Sequence, residues 1–134
     1  VVDRGNARLA DRFTPHDPSV LRLLKLVADA ARQAGKPASV CGEMASEPVS
    51  AFLLLGLGYE TLSIAPPALP IIKWLIRQVT MEQARAAAES ALAARTAELA
   101  LDILRFALAD AVDLTLLDPD ARLPAGRRSG SLKL

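Results

Sequence analysis

Val40-Cys41-Gly42-Glu43-Met44-Ala45 is the stretch that decides how the rest of the chain is read. Ahead of the cysteine stands a run of small and β-branched residues, Ala38, Ser39 and Val40; behind it, Gly42 opens a helical stretch. The pattern predicts a strand ending at the cysteine side chain, then a turn and a helix. In parallel α/β folds, chemistry gathers at that end of a strand. A lone cysteine by itself is ordinarily a buried small hydrophobe. The weight of this one comes from the sequence around it.

Working outward, Pro18 and Ser19 start a helix whose Val20, Leu21, Leu24, Val27, Ala28 and Ala31 recur at helical spacing, and Gly35 ends it. Lys36-Pro37 then leads into the strand Ala38–Val40. On the other side, Ser46-Glu47-Pro48 supplies an N-cap and an acidic first turn, and the helix runs to about Leu57, closed by Gly56 and Gly58. A second strand spans Glu60–Ala65, with Leu62 and Ile64 on one side and Thr61 and Ser63 on the other. Pro66-Pro67 breaks it, and a helix over Leu69–Val79 follows, its Trp74 read as packing. Helix and strand alternating through short joints is the pattern of a parallel sheet covered by helices.

From Thr80 the β signal disappears. Thr80 caps a helix to about Ala94 and Thr96 caps another over Ala97 to about Ala111, both Ala-rich and read as a helical appendage. Residues 1–79 thus form the α/β part, 80–117 a terminal helical extension of the same domain, and 118–134, rich in Pro, Gly, Arg and Ser, a flexible tail. Arg127-Arg128 are read as solvated.

Composition narrows the function classes. Of 134 residues, 51% are apolar and only 4% aromatic, so one domain has a core of Leu, Ala, Val and Ile. Sixteen basic residues against fifteen acidic leave a formal charge of +1, which predicts neither a nucleic-acid partner nor a membrane surface. One cysteine excludes an internal disulfide, and one histidine, His16, excludes a zinc cluster of Cys and His. Ala51–Leu57 is too short to span a bilayer. Without a signal peptide or an initiator Met, the chain reads as a cytoplasmic piece of something larger.

Near the start, Arg4 beside Gly5 and Asn6 fits a surface loop, and equally a setting in which glycine lets a buried arginine meet a phosphate. Ala7–Phe13 reads as a short helical turn. His16, between Pro15 and Pro18, reads as a solvated loop histidine.

Val2-Asp3-Arg4-Gly5-Asn6 together with Cys41-Gly42-Glu43-Met44-Ala45 resembles the enzyme I family of phosphoenolpyruvate–protein phosphotransferases. The likeness continues through Leu53-Leu54-Leu55-Gly56-Leu57-Gly58, Leu62-Ser63, Ile72-Lys73 and Ile76-Arg77, covering roughly residues 1–95. Asp3–Phe13 is most similar to the nitrogen-related paralogue. The Cys-Gly element also occurs in pyruvate phosphate dikinase and phosphoenolpyruvate synthase, and Glu43-Met44-Ala45 favours enzyme I. The resemblance implies an α/β fold: the C-terminal portion of a (β/α)8 TIM-type barrel, its last two strands with their helices, plus terminal helices. It implies phosphoenolpyruvate as substrate, Mg2+ as cofactor, a histidine-containing phosphocarrier protein as partner, and a homodimer. The Mg2+ ligands and the phosphorylated histidine are expected upstream of this chain, and His16 does not match that histidine.

By the same resemblance, Arg4 matches an arginine that contacts the substrate phosphate, a task suited to a planar, permanently charged fork. Cys41 matches the general acid that protonates the methylene carbon of enolpyruvate, a role for a thiol that stays protonated at neutral pH. Gly42 and Glu43 are expected to support the loop; Glu43 is not expected to be a metal ligand. Ser46-Glu47-Pro48 and Ile64-Ala65-Pro66-Pro67 depart from the family wording, the second putting contacts from Ser63 in question. Two other readings stand beside this one: a non-catalytic dimerisation or interaction module derived from that barrel, and a fragment of a pyruvate phosphate dikinase-type enzyme. Two strands of a parallel barrel leave edges and apolar surface uncovered, so the isolated chain is expected to be helical, poorly packed, inactive and prone to associate.

Overall fold

A computed structural model describes residues 14–113 of the chain. Arg4, the turn over Ala7–Phe13 and the tail 118–134 lie outside the described residues.

Helix α1 (Pro18–Gln33) begins at Asp17, whose carboxylate accepts from the Ser19 N–H at 2.8 Å. Strand β1 (Ser39–Cys41) follows, then the single-turn α2 (Glu43–Ser46) and α3 (Pro48–Leu57). Strand β2 (Thr61–Ser63) leads through a 3-10 turn (Pro66–Ala68) into α4 (Leu69–Gln78). Helix α5 (Met81–Leu92) is held at its start by a reciprocal capping box between Thr80 and Gln83, and Thr96 caps α6 (Ala97–Ala111). The α3 cap differs from expectation. Glu47, not Ser46, takes that role, its carboxylate accepting from the N–H groups of Val49 and Ser50 at 3.0 and 2.6 Å.

The fold is α/β and mostly helical, with a small parallel sheet. The two strands pair in register, Ser39 with Thr61, Val40 with Leu62 and Cys41 with Ser63. The first strand lies one residue later than the predicted Ala38–Val40, and the second is shorter than the predicted Glu60–Ala65, pairing only over Thr61–Ser63. Val40 and Leu62 turn toward the helices and are half-buried, whereas Ser39, Cys41, Thr61 and Ser63 are exposed on the opposite face. This is the alternation expected of a sheet packed on one side.

Helix α3 is the centre of the core. Val49, Ala51, Phe52, Leu53, Leu54 and Leu57 are all buried, and a helix apolar around most of its circumference must be covered on most sides. The largest share of that cover comes from α5, whose Ala84, Ala87, Ala88 and Ala91 are buried. Small residues let α5 approach α3 closely, and α6 packs on both.

The closest point of that approach is Gly56. Instead of closing α3, it lies inside the helix, where a Cβ would fall 2.0 Å from the Ala84 carbonyl oxygen. Gly58 alone ends α3, at φ 101°, with the Gly58 and Tyr59 N–H groups bonded to the carbonyls of Leu55 and Leu54. Tyr59 is buried and donates its hydroxyl to the Leu24 carbonyl at 2.9 Å, tying α1 to the segment before β2. On α1, Leu21 and Ala28 enter the core, but Val27 is 55% exposed and lies beside the exposed Leu23 and Leu26.

His16 is likewise corrected. It is 7% exposed, and its Nε2 lies 3.0 Å from the Ser50 hydroxyl. The turn closed by the Asp17 N–H on the Thr14 carbonyl folds the ring against the first turn of α3. A partner 34 residues away leaves no local pattern in the sequence.

Candidate active site

The parallel pairing brings the ends of β1 and β2 together, so Cys41 and Ser63 stand side by side at the C-terminal edge of the sheet. Neighbouring strands are about 4.8 Å apart, and both side chains lie on the open face. Cys41 is a free, exposed thiol. The ordinary reading of a lone cysteine as a buried hydrophobe does not apply here. An exposed thiol at a strand end is available to a reactant approaching that face.

Behind Cys41 the chain turns sharply. Gly42 has φ 88° and ψ −163°, a backbone region open essentially to glycine alone, and it is the residue from which α2 starts. Only open space surrounds the position a Cβ would take, so the constraint is in the backbone and not in packing. Glu43, the first residue of α2, is exposed.

Ser46 joins the two loops at this edge. Its hydroxyl donates to the Gly42 carbonyl at 3.3 Å and accepts from the Ala65 N–H at 3.0 Å. The segment after β2 is thereby tied to the turn after Cys41. The sequence reads Ser46 as a helix cap and as a departure from the family wording, not as a tie between the two loops. Its small side chain between two predicted strand ends was the available signal, but the Ala65 contact depends on strand pairing.

His16 takes no part at this edge. It sits with Ser50 at the start of α3, where burial pushes its pKa below the ordinary histidine value of 6.5 and Arg105 pushes it further down, while Glu47 acts in the opposite sense. Ser50 is 1% exposed, so the pair is a packing contact and not a nucleophile–base arrangement open to substrate. Among the described residues no three of His, Cys, Asp and Glu come together in a way that could hold a metal ion. The described residues by themselves therefore offer no Mg2+ site. Among the described residues no helix is long and apolar enough to cross a membrane.

Residues 1–81 match the PEP-binding domain of the PEP-utilising enzymes. The chain is similar to the phosphoenolpyruvate-protein phosphotransferase of Haemophilus influenzae, 42% identical over 96 residues, which is 72% of this chain and 17% of that protein. It is similar to the multiphosphoryl transfer protein of Escherichia coli O6:H1, 40% identical over 97 residues, covering 72% of this chain and 12% of the relative. The phosphoenolpyruvate-protein phosphotransferase of Borreliella burgdorferi is 40% identical over 80 residues, 60% of this chain and 14% of that protein. The matches thus span less than a fifth of the length of these curated relatives.

Proposed function

The chain belongs to the PEP-utilising enzymes through their PEP-binding domain, and from that premise we propose that it is the C-terminal portion of the (β/α)8 barrel of a phosphoenolpyruvate–protein phosphotransferase. The observation that carries the reading is the exposed Cys41 thiol at the end of a parallel strand, beside Ser63 and ahead of a turn restricted to glycine. In the proposed reaction, phosphoenolpyruvate gives its phosphoryl group to a histidine of the enzyme, and that histidine passes it to a carrier protein. Loss of the phosphoryl group leaves pyruvate enolate. Cys41 then gives its S–H proton to the methylene carbon: a C–H bond forms, the enolate collapses to the ketone of pyruvate, and the thiolate regains a proton from solvent. Arg4, outside the described residues, contacts the phosphate in this reading and offsets the negative charge that phosphoryl transfer spreads over the oxygens.

Bound Mg2+ would supply further neutralisation at the phosphoryl oxygens, and its ligands are assigned to residues outside this chain. A homodimer, a cytoplasmic location and a histidine-containing phosphocarrier partner come with the same reading.

The test uses the full-length enzyme with Cys41→Ala and Cys41→Ser. With pyruvate supplied in deuterated water, the expected result is a loss on the order of 10²–10⁴-fold in the enzyme-dependent rate of hydrogen exchange at the methyl group, the reverse of the proposed protonation, with phosphoenolpyruvate binding retained. An unchanged rate in Cys41→Ala would overturn the role. Reading the coding sequence upstream of Val1 for acidic metal ligands and a phosphohistidine domain tests the assignment of the remaining parts.

A further inference from the structure

Away from the strand edge, α5 and α6 enclose an open groove of about 670 Å³. Its apolar lining includes Ala87, Ile103, Ala107 and Phe106, the last 57% exposed, and its two charged lining residues are both acidic, Asp102 and Asp110. Every lining residue lies between Gln83 and Asp110, beyond the stretch that matches the PEP-binding domain. The groove is therefore separate from the site proposed above.

We propose that the C-terminal segment of this chain, residues 114–134, is the occupant of this groove, matched to its apolar and acidic lining by its leucines and its basic residues. The segment's composition is complementary to the lining. It opens with Leu114, Leu116 and Leu117, and it holds four basic residues, Arg122, Arg127, Arg128 and Lys133, against two acidic ones. Reach is sufficient. Helix α6 ends at Ala111, one residue past the Asp110 end of the groove. The groove runs back to Asp102 over about 12 Å of helix, while the nine residues from Asp113 to Arg122 extend to roughly 30 Å. Tethering places the segment at an effective concentration in the ~mM range, so modest contacts suffice to fill the groove.

A second copy of the chain is the less suitable occupant. A twofold pairing through this surface would set the acidic lining of one protomer against the same acidic lining of the other.

The experiment uses the full chain carrying Trp74→Phe and Phe106→Trp, so that the single indole reports on the groove. The expected result is a blue-shifted emission that moves to the red in Arg122→Glu/Arg127→Glu/Arg128→Glu and does not change on dilution. Hydrogen exchange on the chain with its natural groove residues gives the second readout: amides of 102–110 should exchange roughly tenfold faster in the triple variant. It decides the matter if the tryptophan variant does not fold. Equal exchange with and without the charge reversals overturns the proposal. So does emission or protection that rises with protein concentration, which would assign the groove to a second copy.

Discussion

Gly56→Ala is the substitution whose outcome follows most directly from the packing of α3 on α5. In an exposed helix the change would stabilise by about 1 kcal/mol, because alanine is the better helix former. Here the added Cβ would lie 2.0 Å from the Ala84 carbonyl oxygen, 2.6 Å from its carbon and 2.8 Å from the Ala88 Cβ. Two of the three obstacles are backbone, so no rotamer change relieves them. The helices must separate by more than about 1 Å to restore ordinary contact, loosening packing around Leu53, Leu57 and Ala88. Overpacking of this kind costs typically 1–3 kcal/mol, and backbone obstacles put this case at the upper end, about 3 kcal/mol, which leaves a net loss of roughly 2 kcal/mol after the propensity gain. For a chain of this size that is on the order of 5–10 °C in Tm. Thermal and urea unfolding followed by helical circular dichroism measure it directly. Ala88→Gly serves as the control, since it removes one obstacle and leaves both backbone contacts. A Gly56→Ala protein as stable as the parent, or one fully rescued by Ala88→Gly, would refute the argument.

Three further outcomes are expected. Gly42→Ala should destabilise by roughly 1–3 kcal/mol despite the open space around it, because its φ and ψ are those of glycine; an unchanged urea midpoint would contradict this. Ser46→Ala removes the acceptor of the Ala65 N–H at an exposed site, so about 0.5–1.5 kcal/mol is expected, with faster exchange at the Ala65 amide and little change in α5 or α6. For His16, the folded pKa lies below 6.5, so its contribution to stability is fully present above that value. As pH falls below 6.5 the unfolded chain takes up a proton that the folded chain resists, and stability is lost down to the folded pKa at no more than about 1.4 kcal/mol per pH unit. His16 is the only histidine, so His16→Gln should flatten that slope, and a slope unchanged in the variant would rule it out as the source.

What was legible from residues alone was whatever depends on near neighbours. The extent of α6, the capping residues Thr80 and Thr96, the alternation of Leu62 against Thr61 and Ser63, and the strand end at Cys41 all follow from short-range periodicity and cap chemistry. The wording around Cys41 also pointed to the PEP-utilising family, which the match over residues 1–81 bears out.

Tertiary structure decided the rest, because those features arise from pairs far apart in the chain. Burial of His16 depends on Ser50, the tie across the strand ends on Ser46 meeting Ala65, and the meaning of Gly56 on the Ala84 backbone. Local propensity reads a glycine near a helix end as a stop. Only the arrival of α5 against α3 makes it a contact point, since close approach of two backbones is a property of the packed pair and of neither helix alone.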